Sequence, residues 1–264
     1  MNYENLSTPE VQRLVKQGDS NAMFEMEWRL ELTSDDPSDR CAWQDYWFEK
    51  AADAGHVDAK SRYADSLLDR IMNAEDRQKA MKYFQSLVDD FDAGKLSKEH
   101  EEEGAYAKLK LGIMLCEGYH TERDAVKGAK LIEAAETYLE GFKDYGYKVL
   151  SQVGELYMSG LAQPGGEPSF EDLQRAIKYL DMAIKRFNPA KNDPNNRGYL
   201  ELTKKQLEIS KGRLNTRDFN TTDYPSLEAE RIKMMQISPE AMERLTADKA
   251  ALIRLRKRLA QEGF

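Results

Sequence analysis

Residues that most often carry chemistry are scarce in this 264-residue sequence, which has three histidines and two cysteines. His56, His100 and His120 are not spaced at i and i+4 and none lies near a cysteine pair, so a structural zinc site lacks its ligands. No metal and no cofactor are expected. Cys41 and Cys116 fall inside helical patterns, build no disulfide framework and read as buried free thiols. A Gly-rich nucleotide loop, a Gly-x-Ser-x-Gly element and a histidine beside a nucleophile are all missing. Gly165-Gly166 lies between Pro164 and Pro168, which makes it a turn. Carboxylates are so abundant that no pair of them stands out as an acid and a base. The chain therefore reads as non-catalytic.

Positive charge is also in deficit, with 39 Lys and Arg against 47 Asp and Glu, a formal net charge of -8 and a pI near 5.2. Phosphate neutralisation needs a basic surface, so no nucleic-acid partner is expected. Long apolar runs are absent too: nothing approaches the roughly 20 residues of a membrane span. The opening Met1-Asn2-Tyr3-Glu4-Asn5-Leu6 has neither the basic nor the apolar segment of an export leader. The expectation is a soluble, cytoplasmic protein with no membrane partner.

What fills the sequence instead is helix. A make-up of 41% hydrophobic and 33% charged residues, with mean hydropathy -0.74, suits many amphipathic helices, each with one charged face. Helical periodicity runs from Thr8 to Gly212, punctuated at Gly18, Pro37, Gly55, Gly94, Gly118, Gly141 and Gly160. Short connections make neighbouring helices pack antiparallel, as hairpins. The fold class expected is all-α.

The hairpins repeat. Asn73-Ala74-Glu75-Asp76, Thr121-Glu122-Arg123-Asp124 and Ser169-Phe170-Glu171-Asp172 each place a capping residue three before an aspartate, at 73, 121 and 169, a constant interval of 48. The pattern resembles a capping box, in which the side chains satisfy orphan N–H groups of the first turn. A basic and then a small residue follow each time, in Lys79-Ala80, Lys127-Gly128 and Arg175-Ala176. Three and four positions later come Tyr83-Phe84, Leu131-Ile132 and Tyr179-Leu180, on the same face as the small residue, so a neighbouring helix can approach closely. The preceding helices carry Leu111-Gly112 and Val153-Gly154 at matching places. Glycine inside a helix costs up to about 1 kcal/mol against alanine, so its recurrence points to tight helix crossing. Extra residues between Ala162 and Pro168, and an acidic connection from Asp89 to Glu103, enter loops and leave the helices in register.

An alanine, a Leu-Gly, an Asp-x-x-Lys-Ala, a paired aromatic and Lys-Ala-Ala-x-x-Gly-His together resemble a Sel-like repeat, a variable-length relative of the tetratricopeptide repeat. The clearest piece runs from Trp47-Phe48-Glu49-Lys50-Ala51-Ala52 to Gly55-His56. Four copies are counted, at 21 to 58, 59 to 104, 105 to 147 and 148 to 190, with Glu27, Ala64 and Arg70 departing from the glycine pattern. The resemblance implies a right-handed alpha-alpha superhelix, a solenoid of antiparallel hairpins that binds proteins or peptides as a scaffold or adaptor. The organisation expected is an N-terminal capping helix over 1–20, the repeats over 21–190, a helix continuing the stack over 191–213, and a linker with a basic amphipathic capping helix over 214–264.

In such stacks the first helix of each pair lines the concave face, which makes Phe24, Trp28, Asp65, Asp69, Ile113, Glu117, Glu155 and Met158 the candidate binding residues for a protein partner. If exposed, they form an acidic groove with apolar anchors, suited to a basic amphipathic segment. The alternative is that Trp28, Ile113 and Met158 are core. The acidic stretch from Asp89 to Glu103 reads either as a steering patch or as a solvated loop and helix start. Arg254-Leu255-Arg256-Lys257-Arg258 ends a helix whose apolar side includes Leu245, Leu252, Leu255 and Leu259, to be packed as a cap or offered to an acidic partner or a membrane surface. Three uses remain open: a protein-binding adaptor, an immunity or antitoxin protein that masks a basic toxin, and a ligand-binding or enzymatic protein with a site built in the groove.

Overall fold

A computed structural model describes residues 2–29, 37–69, 74–118, 121–141, 146–187, 197–217, 219 and 239–263, except the side chains of 37, 69, 140, 141, 239–246 and 249. Among these residues there are eleven α-helices and no strand: α1 Thr8–Lys16, α2 Ser20–Met26, α3 Pro37–Asp53, α4 Val57–Asp69, α5 Ala74–Asp92, α6 Glu101–Glu117, α7 Ala125–Ala135, α8 Gly146–Met158, α9 Phe170–Arg186, α10 Arg197–Thr216 and α11 Pro239–Gln261. None is long and apolar enough to cross a membrane. The chain divides into two compact units, Met1–Leu87 with Gln236–Phe264, and Val88–Met235.

In the first unit, α1 turns into α2 at Gly18, and the Asp19 side chain caps α2 by accepting from the N–H groups of Asn21 and Ala22 at 3.0 Å each. The turn from α3 to α4 is made by Ala54-Gly55-His56, with Gly55 at φ +94°, a backbone setting that costs glycine nothing. Packed together are Val11 and Val15 of α1, Ala22 and Met26 of α2, Ala42, Tyr46 and Trp47 of α3, and Ala251, Leu255 and Leu259 of α11. The last helix of the chain thus closes over the first three. The sequence marked it as a basic amphipathic capping helix. Trp47 and its neighbours offer an apolar face that α1 and α2 leave open, and a stripe at i, i+4 and i+8 fits it. Ala251 belongs to that stripe and was not read from the sequence. Leu252 is only partly buried, and Leu245 lies outside the described side chains.

The second unit pairs α6 with α7 and α8 with α9, then lays α8 against α6 and α10 against both α9 and α8. The recurring glycines sit where those pairs cross. A Cβ built on Gly112 would lie 2.8 Å from the Gly128 carbonyl oxygen, and one on Gly128 would lie 2.6 Å from that of Gly112 and 2.5 Å from Cys116 Sγ. Gly154 meets Leu180 in the same way, with 2.6 Å to its Cγ. Close crossing is why the pattern tolerates a helix-weakening residue.

Of the three cap sites, Ser169 forms the expected box: its Oγ accepts from Asp172 N–H at 3.1 Å and its N–H donates to Asp172 Oδ2 at 2.8 Å. Asn73 lies outside the described residues. At the middle site the cap is Asp124, not Thr121, and its Oδ1 accepts from Lys127 N–H at 2.9 Å. Gly118, at φ +66°, ends α6, and Asp124 N–H donates back to Leu115 O at 2.9 Å, so the connection delays the start of α7 by three residues. Cys116 is buried, and burial pushes its thiol up to about 12, whereas Cys41 is exposed on α3, against the expectation that both are buried.

Gly128→Ala is expected to destabilise the protein by about 1–3 kcal/mol, because its methyl would overlap a carbonyl oxygen and a sulfur in a packed crossing. Gly212→Ala, in α10 with nothing within 4 Å of the new atom, should stabilise by about 0.5–1 kcal/mol. Urea unfolding of the two variants decides it, and equal effects would contradict the crossing model.

Candidate protein-binding face

Two of the predicted anchors meet on α2 and just beyond it. Trp28 is 63% exposed, the most exposed large hydrophobic side chain among the described residues. One helical turn earlier, the half-buried Phe24 ring stacks on His56 with centroids 4.3 Å apart and planes at 18°. Phe48 lies 5.8 Å from the same ring, and the Arg62 guanidinium sits 5.6 Å from its centroid. His56 is fixed by its place at the head of α4: its N–H donates to Ala51 O at 2.9 Å and its Nδ1 accepts from Ala59 N–H at 3.3 Å. The Gly55-His56 end of the repeat motif therefore holds an aromatic platform for Phe24. Asp65, one turn beyond Arg62 on α4, is half-buried, and the Asp69 side chain lies outside the described residues. This face mixes an apolar anchor, a cation and an acid, where the sequence suggested acids and apolar anchors without a cation. Arg62 is the residue that reading missed; its spacing of three from Asp65 on α4 was the available signal.

Glu27, standing where the repeat pattern expects glycine, is 3% exposed beside Trp28. Gln44 Nε2 donates to its Oε1 at 2.8 Å, and its buried Oε2 has no hydrogen-bond partner among the described residues. Burial raises its carboxyl above the ordinary value, opposed in part by the Gln44 hydrogen bond and the charge of Arg62.

The candidates of the second unit fare differently. Ile113, Glu155 and Met158 are 5%, 6% and 1% exposed, and only Glu117, at the end of α6, keeps partial exposure. Each next first helix covers the one before it: α8 packs on α6 and α10 on α8. The hydroxyls of Ser151 and Thr203 lie 2.8 Å apart across the α8–α10 seam, and Arg213 donates to Met158 O at 3.0 Å. Ile113 and Met158 are core, which was the alternative reading, and Trp28 is not.

Sequence reasoning noted the basic residue of these second helices, and a tyrosine in two of them, but not their partners, most of which come from the preceding copy. Lys79 donates to Glu49, and Tyr83 donates to Asp53 at 2.7 Å. In the second unit Arg175 donates to Glu133 and, at 3.4 Å, to the Tyr157 hydroxyl, while Tyr179 and Lys178 donate to Glu136 at 2.8 and 3.0 Å. Burial pushes the Glu136 carboxyl up, but the hydrogen bonds from Lys178 and Tyr179 outweigh it and leave it below the ordinary value. These bonds join one hairpin to the next within each unit.

No family model and no curated protein matches the chain. Among solved structures it is similar, at 17% identity and a TM-score of 0.47, to a protective antigen present in uropathogenic Escherichia coli strains, described as displaying an SLR fold. The likeness covers 94% of this chain and 42% of that one, so the chain spans less than half its length. The sequence motifs resemble Sel-like repeats.

Glu27→Gln is expected to stabilise the protein at pH 7, by about 1 kcal/mol, because it removes a charge from a buried site. A carboxyl whose folded pKa is raised supplies stability below its unfolded value and loses it as pH rises through the folded one. The advantage of the variant should therefore shrink as pH falls through the raised pKa of Glu27. A gain independent of pH between 4 and 8 contradicts this role.

Proposed function

We propose that the chain is a non-catalytic protein-interaction module, an adaptor that holds a protein or peptide on the face built by Phe24, Trp28, Arg62 and Asp65. The observation that carries this reading is Trp28: an indole exposed next to a supported aromatic ring is the kind of anchor that dominates interface energetics. The lack of nucleotide, nucleophile and metal motifs in the sequence supports a binding role over a catalytic one. Four repeats over 21–190, framed by helices at both ends of the sequence, are part of the same proposal.

A basic partner suits the net charge of -8, which favours encounter with a cationic protein at low salt. Masking of a basic toxin by an immunity or antitoxin protein is a narrower form of this reading and draws on the same charge.

A photoreactive amino acid at position 28 should form one dominant adduct in the cells that make the protein, and Trp28→Ala should lower capture of that partner at least tenfold. Because Trp28 is exposed, the variant should unfold within about 0.5 kcal/mol of the parent. Undiminished capture by both Trp28→Ala and Phe24→Ala, each still folded, overturns the proposal.

A further inference from the structure

The face of the first unit that α11 covers has the make-up of a helix-binding groove. Its floor is apolar: Val11 and Val15 from α1, Met26 from α2, Ala42, Tyr46 and Trp47 from α3. Its rim is acidic, with Asp39 near the start of α3 and Glu49 three turns on. The seated helix shows what fits. Ala251, Leu255 and Leu259 fall at i, i+4 and i+8 and enter the floor, while Arg254 pairs with Asp39 at 3.3 Å and Arg256 with Glu49.

Among the described side chains of α11, burial is confined to one stripe. Among its described side chains three are buried, and its two cations toward the rim stay 63% and 49% exposed, a setting in which ion pairs are weak and screened by salt. Lys16 donates to Glu262 O at 3.3 Å. Residues 217–238 join α11 to α10.

We propose that this groove is a second protein-binding site, that its external ligand is a basic amphipathic helix of a partner protein, and that α11 is a tethered occupant which such a helix displaces. A seated tether lowers the apparent affinity of any competitor by the fraction of time the groove is empty, so the chain controls access to its own site. Three features recognise the ligand: a small residue and two leucines spaced four apart, an arginine three after the small residue, and a second arginine five after it. Glu49 couples the site to the stack, because it also takes the charge of Lys79. Burial pushes its carboxyl up, yet Lys79 and Arg256 together hold it below the ordinary value, so it stays charged at neutral pH.

The test uses a fluorescent peptide with the sequence of residues 239–261 and the full-length chain in two forms, unaltered and carrying Leu255→Asp with Leu259→Asp. Anisotropy should show the altered chain binding the peptide at least tenfold more tightly than the unaltered one. Asp39→Lys with Glu49→Lys in the altered chain should then weaken binding at least fivefold, and raising the salt should weaken it too. Equal binding by the two chains, with helicity preserved, overturns the proposal. If the leucine variant loses helicity throughout, the full-length Arg254→Glu, Arg256→Glu chain decides: it keeps the apolar stripe and loosens only the rim, and failure to bind the peptide more tightly than the unaltered chain overturns the proposal as well.

Discussion

A pair of antiparallel helices buries one side of itself and leaves another apolar side bare, and the architecture of each unit follows from how that bare side is covered. In the second unit the cover is the next hairpin. Glycine at 112, 128 and 154 lets the helices approach until carbonyl oxygens and side chains occupy the space a Cβ would take. The same succession buries Ile113, Glu155 and Met158, because each first helix lies against the one that follows it. In the first unit α11 arrives from the far end of the sequence to supply what α1 to α3 lack.

Polar groups then fix which hairpin pairs with which. Lys79 and Arg175 occupy equivalent places and each reaches a glutamate of the preceding copy, Glu49 and Glu133, while Tyr83 and Tyr179 reach Asp53 and Glu136. Burial shifts the tyrosines strongly: the Tyr157 phenol is pushed up to about 12, and Tyr83 and Tyr179 lie higher still, so all three remain donors or neutral neighbours at any physiological pH. The acids behave in two ways. Glu49 and Glu136, each bonded by a lysine, sit below the ordinary carboxylate value, and the stability they lend is lost as pH falls through it. Glu27, with half of its carboxyl unbonded, sits above it and acts in the opposite sense.

Local signals carried most of what the sequence revealed. Positive-φ glycines at 18, 55, 94, 118 and 160 stand at the breaks where periodicity fails, and the Leu255 and Leu259 stripe of α11 was readable from helical spacing. The Ser169 box was legible because both of its partners lie within one turn, whereas at 121–124 two capping residues stand three apart and the sequence pattern selected Thr121 where Asp124 is the cap. What stayed hidden depends on distance along the chain. Arg256 and Glu49 are brought together only by the fold, and so are Phe24 and Arg62. Trp28 and Met158 occupy similar places on their helices and looked alike, but the first ends a short helix in the open and the second lies under Arg213.

The functional reading joins two features of the first unit: an exposed indole beside a supported ring, and a groove that the chain fills with its own basic helix. The second depends on α11 being a separable closure of α1 to α3. Hydrogen exchange by mass spectrometry on the full-length Leu255→Asp, Leu259→Asp chain tests this most directly. The account predicts loss of protection in α1, α2 and α3, with α6 to α9 exchanging as before. Uniform loss across all helices, or no change in α1 to α3, would contradict it.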